Sequence, residues 1–515
     1  VTRETEFSAQ NNIFNARQAF SGRLIAYYTE VGSMAKKDKR KQSMLGEQGI
    51  YDARTLGRPK MLILGFQHTF AMFGATVLVP LLTGLNMQTT LLMAGLGTLF
   101  FHLVTKFKVP AFLGSSFAFL GGYAAVAPLL ADGSPNTEML PYANLGVVFA
   151  GLVYLVLAVL FAIFPVEKVM RFFPPVVTGP IIIAIGLSLA GSAVDNCKQN
   201  WFLAIVALAV IIICNIWGRG MLKIIPILVG IIVSYIVAVC IDAVDFQPII
   251  EADWIGLPIT KEGMVFGNIT DKGQAISAII AIMPISFATM MEHIGDISAI
   301  SATTGRNFLA DPGLKRTLVG DGLATSISAL FGGPANTTYG ENTGVLALTK
   351  VYDPRVVRIA AVVAVLLSFS PKFAAVINTI PAAIIGGISF VLYGMISGIG
   401  VRNVVENKVD LTKSRNLIIV AVILVTALGI DSLDFTIGEF NISLTALAVA
   451  AIAGIVLNAI LPGNDYVFNA NPSTAAEAVS CAPDCTAANV SEQETVSENT
   501  AAAAENETSS DNETK

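Results

Sequence analysis

An all-α polytopic membrane protein with fourteen transmembrane segments is expected from this chain on three grounds: its hydropathy, the placement of its charges, and the sides on which its basic loops fall. Hydrophobic residues make up 54% of the 515 residues and charged residues only 13%, whereas an ordinary soluble domain carries about 25% charged residues. The excess lies in charge-free runs such as Trp201 to Trp217, Leu417 to Ile430 and Phe440 to Leu461. Such runs approach or exceed the roughly 20 residues that a helix needs to cross a bilayer. The formal net charge of −5 says little about partners, because the charges sit mostly in loops and tails. Nothing suggests nucleic acid. Of the five cysteines, Cys197, Cys214 and Cys240 lie in or beside apolar segments and Cys481 and Cys485 in a polar tail, with no metal-ligand or disulfide pattern.

Residues 1–60 read as a flexible cytoplasmic segment, 61–462 as the membrane domain and 463–515 as a disordered cytoplasmic tail rich in Ala, Glu, Thr, Ser and Asn. Met34 to Lys41 resembles a start followed by a basic leader. Residues 1–33 are therefore either an over-extended frame or a genuine amphipathic extension. The segments are expected near 61–82, 88–104, 110–129, 142–164, 175–194, 200–217, 224–243, 274–296, 317–333, 337–349, 357–379, 381–399, 415–430 and 440–461. Alternation from a cytoplasmic leader puts the clusters at Lys106 and Lys108, Lys168 and Arg171, Arg219 and Lys223, and Arg306 to Arg316 on the cytoplasmic side. The clusters at Lys350 to Arg358 and Arg402 to Arg415 follow them, while the other side keeps only Lys198, Lys261, Lys272 and Lys372. That asymmetry satisfies the positive-inside rule and leaves both termini cytoplasmic.

Fourteen segments divide into two sevens, and an odd number per half inverts the second half relative to the first, a common transporter plan. The third segment of each half, Val109 to Phe119 and Gly332 to Gly344, is interrupted by Gly, Pro and small hydroxyl residues. Broken backbone at membrane depth is tolerated where it lines a cavity or is buried in protein, so this pair points to a substrate site.

Glu292, His293 and Asp296 stand in the run Ala275 to Thr304, which holds no other charged residue. Ionisable groups at such depth are costly and usually functional. Glu292 and Asp296 are four apart on one helix face, with His293 turned away as a packing or supporting residue. Two carboxylates so close in a low dielectric do not both ionise easily, which suits a proton carrier. Asp296 also fits a helix-end acid facing water. Glu341, directly after Gly340, is the other acid set well inside an apolar stretch. A half-helix beginning there would offer backbone N–H donors for a carbonyl beside a carboxylate acceptor for a ring N–H, a combination suited to a cyclic imide or ureide. Phe117, after Gly114-Ser115-Ser116, reads equally as a site aromatic or a core aromatic, and His68 in the first span is left open between a structural and a functional role.

Gln67 to Pro80, Gly114 to Phe119, Glu292-His293-Ile294-Gly295-Asp296 and Asn336 to Lys350 together resemble the signatures of the nucleobase/ascorbate (nucleobase:cation symporter-2) family. The likeness runs from about residue 50 to 462, and Thr-Thr-Tyr-Gly-Glu-Asn is most similar to bacterial uracil permeases. The resemblance implies an inverted seven-plus-seven fold with a core domain (segments 1 to 4 and 8 to 11) and a gate domain (5 to 7 and 12 to 14). It also implies short antiparallel strands in segments 3 and 10 that meet at the site. Glu292 and Glu341 would bind the pyrimidine edge, and the backbone at Phe117 and Gly340 would meet a carbonyl. Ala75, Tyr339 and Tyr393 would border the pocket, and His68 would join the proton-linked network with Glu292 and Asp296. Where some uracil permeases carry a second His in the Glu-His-x-Gly-x motif, this chain has Asp296. Glu341, where purine carriers often have Gln, favours uracil over xanthine.

The expected activity is proton-coupled uptake of uracil across the cell membrane by a secondary transporter. The expected partners are a nucleobase, protons and the lipid bilayer, with a homodimer compatible and no cofactor or metal. Paired acids oppose an anionic substrate, and an intramembrane enzyme fails on inventory: only His68, His102 and His293 are present, without a His-Glu-x-x-His pair.

Overall fold

The computed structural model describes residues 49–463 other than 131–133, 165–167, 170, 224, 431 and 438–439. The leader before residue 49 and the tail from residue 464 lie outside the described residues. Two helices open the membrane domain, α1 (Arg58–Thr83) and α2 (Met87–Val104). Pro59 sits in the first turn of α1, where its missing N–H has no partner to lose, and Asn86 caps α2 by accepting from Thr89 N at 3.0 Å. Strand β1 (Leu113–Ser115) and the short helix α3 (Leu120–Val126) follow. Next come α4 (Leu140–Ile163), α5 (Pro175–Ser188), α6 (Ala190–Lys198), α7 (Trp201–Trp217), α8 (Pro226–Cys240) and the one-turn α9 (Gln247–Glu251).

A second series begins with α10 (Lys272–Ile282), joined by a 3₁₀ turn to α11 (Ser286–Thr304), then α12 (Leu314–Leu330), strand β2 (Asn336–Thr338) and α13 (Gly340–Thr349). It closes with α14 (Pro354–Ser368), α15 (Pro371–Asn378), α16 (Ala382–Glu406), α17 (Ser414–Gly429), the hairpin β3 (Ser432–Ile437) and β4 (Phe440–Thr445), and α18 (Ala446–Ile460). By length and composition six of the described helical stretches can cross a membrane, or seven if the bent pair α14 and α15 counts as one span. The chain is a multi-pass helical membrane protein.

Close helix packing rests on small residues, as bilayer-embedded helices require. A Cβ on Gly151 of α4 would stand 2.5 Å from Gly322 O of α12, and one on Gly322 would stand 2.6 Å from Gly151 O, so the two backbones touch. Gly179 of α5 and Gly400 of α16 approach similarly, with a Cβ on Gly400 meeting Gly179 O at 2.7 Å. These contacts form two tight helix pairs, α4 with α12 and α5 with α16.

Three differences from the sequence expectation change the architecture. Residues 49–57, assigned to the flexible leader, are docked: Ala53 is fully buried in a 3₁₀ turn at Ala53–Leu56. The stretch 357–379 is two helices meeting at 89°, because Ser370 caps a new helix by accepting from Phe373 N at 3.3 Å and Pro371 cannot continue the old one. The last helix starts at Ala446 rather than near 440. Phe-Asn-Ile-Ser-Leu-Thr at 440–445 alternates with the period of a strand, and Thr445 Oγ1 caps α18 by accepting from Ala448 N at 3.3 Å.

Candidate functional site

The two interrupted stretches meet. β1 and β2 pair antiparallel with Leu113 opposite Thr338, Gly114 opposite Thr337 and Ser115 opposite Asn336. Ser116 N donates to Ala335 O at 2.9 Å and Tyr339 N to Phe112 O at 3.0 Å, which carries the ladder one step past each end. Each strand is held by a threonine of the helix before it. Thr98 Oγ1 of α2 accepts from Leu113 N at 2.9 Å and lies 3.1 Å from Leu113 O. Thr325 Oγ1 of α12 accepts from Asn336 N at 3.2 Å and lies 2.9 Å from Asn336 O. Backbone groups of a two-strand ladder at this depth have no water to turn to, so these hydroxyls satisfy what the sheet cannot.

The carboxylates lie around this ladder. Glu292 and Asp296 are both half-buried on α11, while His293 between them is fully buried on another face. Thr338 Oγ1 of β2 donates to Asp296 Oδ2 at 2.7 Å, which ties α11 to the strand. Glu341 stands in the first turn of α13, half-buried, and borders a cavity of about 150 Å³ that also touches Gly74 on α1, Asn215 and Lys223, and Met395 on α16. Glu292 is within electrostatic reach of Asp296, Glu341 and Asp321. A Cβ at Gly295, Gly340 or Gly344 would meet nothing within 4 Å, so α11 and α13 present glycine-smooth backbone beside the acids.

The aromatic and small residues singled out from the sequence fall in two roles. Phe117 is half-buried and packs both on the cluster of Ala75, Tyr339 and Met72 and on that of Tyr393, Leu120 and Val79. Tyr339 acts through its backbone and as a rivet: its ring is buried, its hydroxyl donates to Ser115 O at 2.9 Å, and it lies 3.3 Å from Thr76 Oγ1. A Cβ on Gly114 would stand 2.3 Å from that ring, so only glycine lets Tyr339 cross β1. Ala75 and Tyr393 are buried as well. His68 is fully buried on α1, with Nδ1 3.0 Å from Asn342 Nδ2, and Asn342 Nδ2 also donates to His68 O at 3.1 Å. His68 is thereby joined to the residue after Glu341.

Asp321 escaped the sequence reading, which took Glu341 for the remaining embedded acid. His293 Nδ1 meets Asp321 Oδ2 at 2.8 Å, both side chains fully buried, with Phe101 and Tyr154 presenting rings edge-on to the imidazole at 6.2 and 6.5 Å. A buried pair of this kind is weak evidence for stability but fixes geometry, because breaking it strands a charge. Here it ties α11 to α12, while Asp296 ties α11 to β2. The available signal was an acid in the expected segment 317–333, masked by its nearness to Lys315 and Arg316. Nothing in the sequence singled out Thr98 or Thr325, and Asn342 stood only as the last residue of the Thr-Thr-Tyr-Gly-Glu-Asn motif.

A helical membrane domain whose two broken segments pair beside embedded carboxylates has the architecture of a substrate transporter. A family model described as "Permease family" matches residues 59–434, and the chain belongs to that family. The uracil permease of Bacillus caldolyticus is 42% identical over 440 residues, 82% of this chain and 98% of that protein. The uracil permease of Bacillus subtilis (strain 168) is 41% identical over 409 residues, 77% of this chain and 91% of that protein. The putative pyrimidine permease RutG of Escherichia coli (strain K12) is 42% identical over 410 residues, 78% and 89% of the two chains. The resemblance carried by the four motifs is borne out, and the chain is a transporter rather than an enzyme. Among solved structures, the transmembrane domain of a cyanobacterium bicarbonate transporter, BicA, matches with a TM-score of 0.53 at 17% identity, covering 79% of this chain and 100% of that one. SLC26A9 matches with a TM-score of 0.55 at 13% identity, covering 78% and 64%. Both show the fold alone.

Proposed function

We propose that this permease carries uracil across the cell membrane together with protons. The observation that carries the reading is the meeting of Glu292, Asp296 and Glu341 around the β1–β2 ladder, in a chain about 40% identical to proteins named uracil permease. An ionised carboxylate only accepts hydrogen bonds, whereas a protonated one can donate to a ring carbonyl and accept from the neighbouring ring N–H. Glu292 takes the second role and Glu341 accepts a ring N–H. The free N–H groups at Gly340 and near Phe117 receive the carbonyl oxygens. Ala75, Tyr339 and Tyr393 border the pocket through Phe117. Binding that favours protonated Glu292 supplies the linkage a symporter needs, with Asp296 and His68 as relays.

In this reading residues 61–462 form the transporter domain, with fourteen segments in two inverted sets of seven and both termini in the cytoplasm. The matching threonine clamps at Thr98 and Thr325, one per half, support the repeat. The basic loops support the orientation. Reconstituted into proteoliposomes, the protein should concentrate labelled uracil when only an inward proton gradient is imposed, and lose it when a protonophore is added. Uptake that stops at equal concentrations would leave a passive channel, and stronger competition by xanthine than by unlabelled uracil would reassign the substrate.

A further inference from the structure

The ten-residue helix α13 carries Glu341 and is weakly self-sufficient. Isolated helices shorter than about 12–15 residues are marginal, no side chain caps the start of α13, and Gly340 and Gly344 meet nothing. Its far end is held by the segment just before α1. Ile50 pairs in parallel with Val351: Ile50 N donates to Lys350 O at 2.7 Å and Tyr352 N to Ile50 O at 2.8 Å. Tyr51 Oη donates to Thr304 O, the last residue of α11, at 2.5 Å, its ring lies 5.4 Å from that of Tyr352, and the Arg306 guanidinium sits over it at 4.1 Å. Ala53 N donates to Asp353 Oδ2 at 2.7 Å, and Arg355 bridges Asp353 and Asp52 at 3.0 and 3.1 Å. Hydrogen bonds from Arg54 hold the Asp52 carboxyl down to about 2. The fit is tight, since a Cβ on Gly49 would stand 2.1 Å from the Tyr352 ring.

One short segment thus binds the ends of both helices that carry the site acids. We propose that Ile50 to Ala53 is a strap that positions the half-helix bearing Glu341, making Tyr51 and Asp353 positioning residues for substrate binding. The nine residue steps from Glu341 to Lys350 span about 14 Å of helix, so the strap acts on the carboxylate by ordering the helix rather than by touching substrate.

The test uses the full chain with Ile50→Pro, which removes the donor to Lys350 O, and separately Tyr51→Ala and Tyr51→Phe. Hydrogen exchange across 340–349 should quicken by about tenfold in Ile50→Pro and Tyr51→Ala, as expected for the loss of one or two hydrogen bonds, while α4 and α12 keep their protection. Uracil affinity should weaken by about tenfold in the same variants and by less in Tyr51→Phe, which keeps the ring under Arg306. The affinity measurement rests on the uracil reading; the exchange measurement does not, and it tests whether the strap orders α13 even if the unmodified chain binds no uracil. Unchanged exchange at 340–349 would overturn the proposal. So would faster exchange with full affinity, or a uniform loss of protection with a lowered melting temperature and normal affinity in the folded fraction.

Discussion

The two broken stretches share a scaffold and differ in their chemistry. In both, a threonine from the preceding helix grips the first strand residue through its N–H and lies close to its carbonyl, Thr98 at Leu113 and Thr325 at Asn336. Beyond the ladder they diverge. β1 leads through Phe117 into a short helix without a charged side chain, and it is pinned under the Tyr339 ring. β2 leads straight into α13 with Glu341 in its first turn, beside the acids of α11. Two similarly clamped strands therefore lead into a neutral wall on one side and a charged, glycine-smooth wall on the other. The proton chemistry and substrate specificity proposed above rest mostly on the second wall.

The strongest way to break this comparison is Glu292→Gln, which keeps a donor and an acceptor but cannot release a proton. Uracil binding should persist with little pH dependence, while accumulation driven by an inward proton gradient is lost. A variant that still concentrates uracil on a pH difference alone would pass the coupling role to Asp296 or His68.

Glu341→Gln should weaken uracil binding by roughly ten- to a hundredfold, the range expected when a hydrogen bond to a charged group is lost. Calorimetry on the purified variant decides it, and unchanged affinity would remove Glu341 from the site. The threonine clamps separate scaffold from chemistry. Thr98→Val and Thr325→Val should each cost about 1–3 kcal/mol of stability by stranding a buried amide, but Thr325→Val, whose strand runs on to Glu341, should lower uracil affinity more than Thr98→Val. Equal affinity losses would contradict the division of labour.

Gly114→Ala must push against the Tyr339 ring, and overpacking of this kind costs typically about 1–3 kcal/mol. Thermal melting of the detergent-purified protein should register it, together with slower uptake as the ladder shifts. The smallest effect is the opposite in sign. Gly344→Ala places a methyl where nothing stands within 4 Å and should stabilise α13 by about 0.5–1 kcal/mol, seen as slower exchange there.

How much of this was readable beforehand follows from the physics of each feature. Charge-free runs, basic loops and the Gly- and Pro-interrupted stretches announce themselves locally, because the bilayer penalises each exposed polar group separately. Glu292, Asp296 and Glu341 stood out for the same reason. The turn of His293 away from Glu292 also followed from helix geometry, and the structure buries it as expected. By contrast, Asp321 beside His293, Asn342 beside His68 and Tyr51 beside Thr304 pair residues 28, 274 and 253 positions apart. No window along the chain contains both partners.

The sequence by itself determined that the chain lives in a membrane and where its two Gly- and Pro-interrupted stretches lie, and it singled out Glu292, Asp296 and Glu341 but not Asp321. Membership of the permease family was written in four short motifs. Only the tertiary structure decided that Tyr339 is a rivet across Gly114, that the stretch 440–445 is a strand, and that residues 50–53 belong to the folded body. Burial cost is a property of a residue in its own segment, whereas register, rotation and docking depend on which distant backbone group is left needing a partner once the helices have packed.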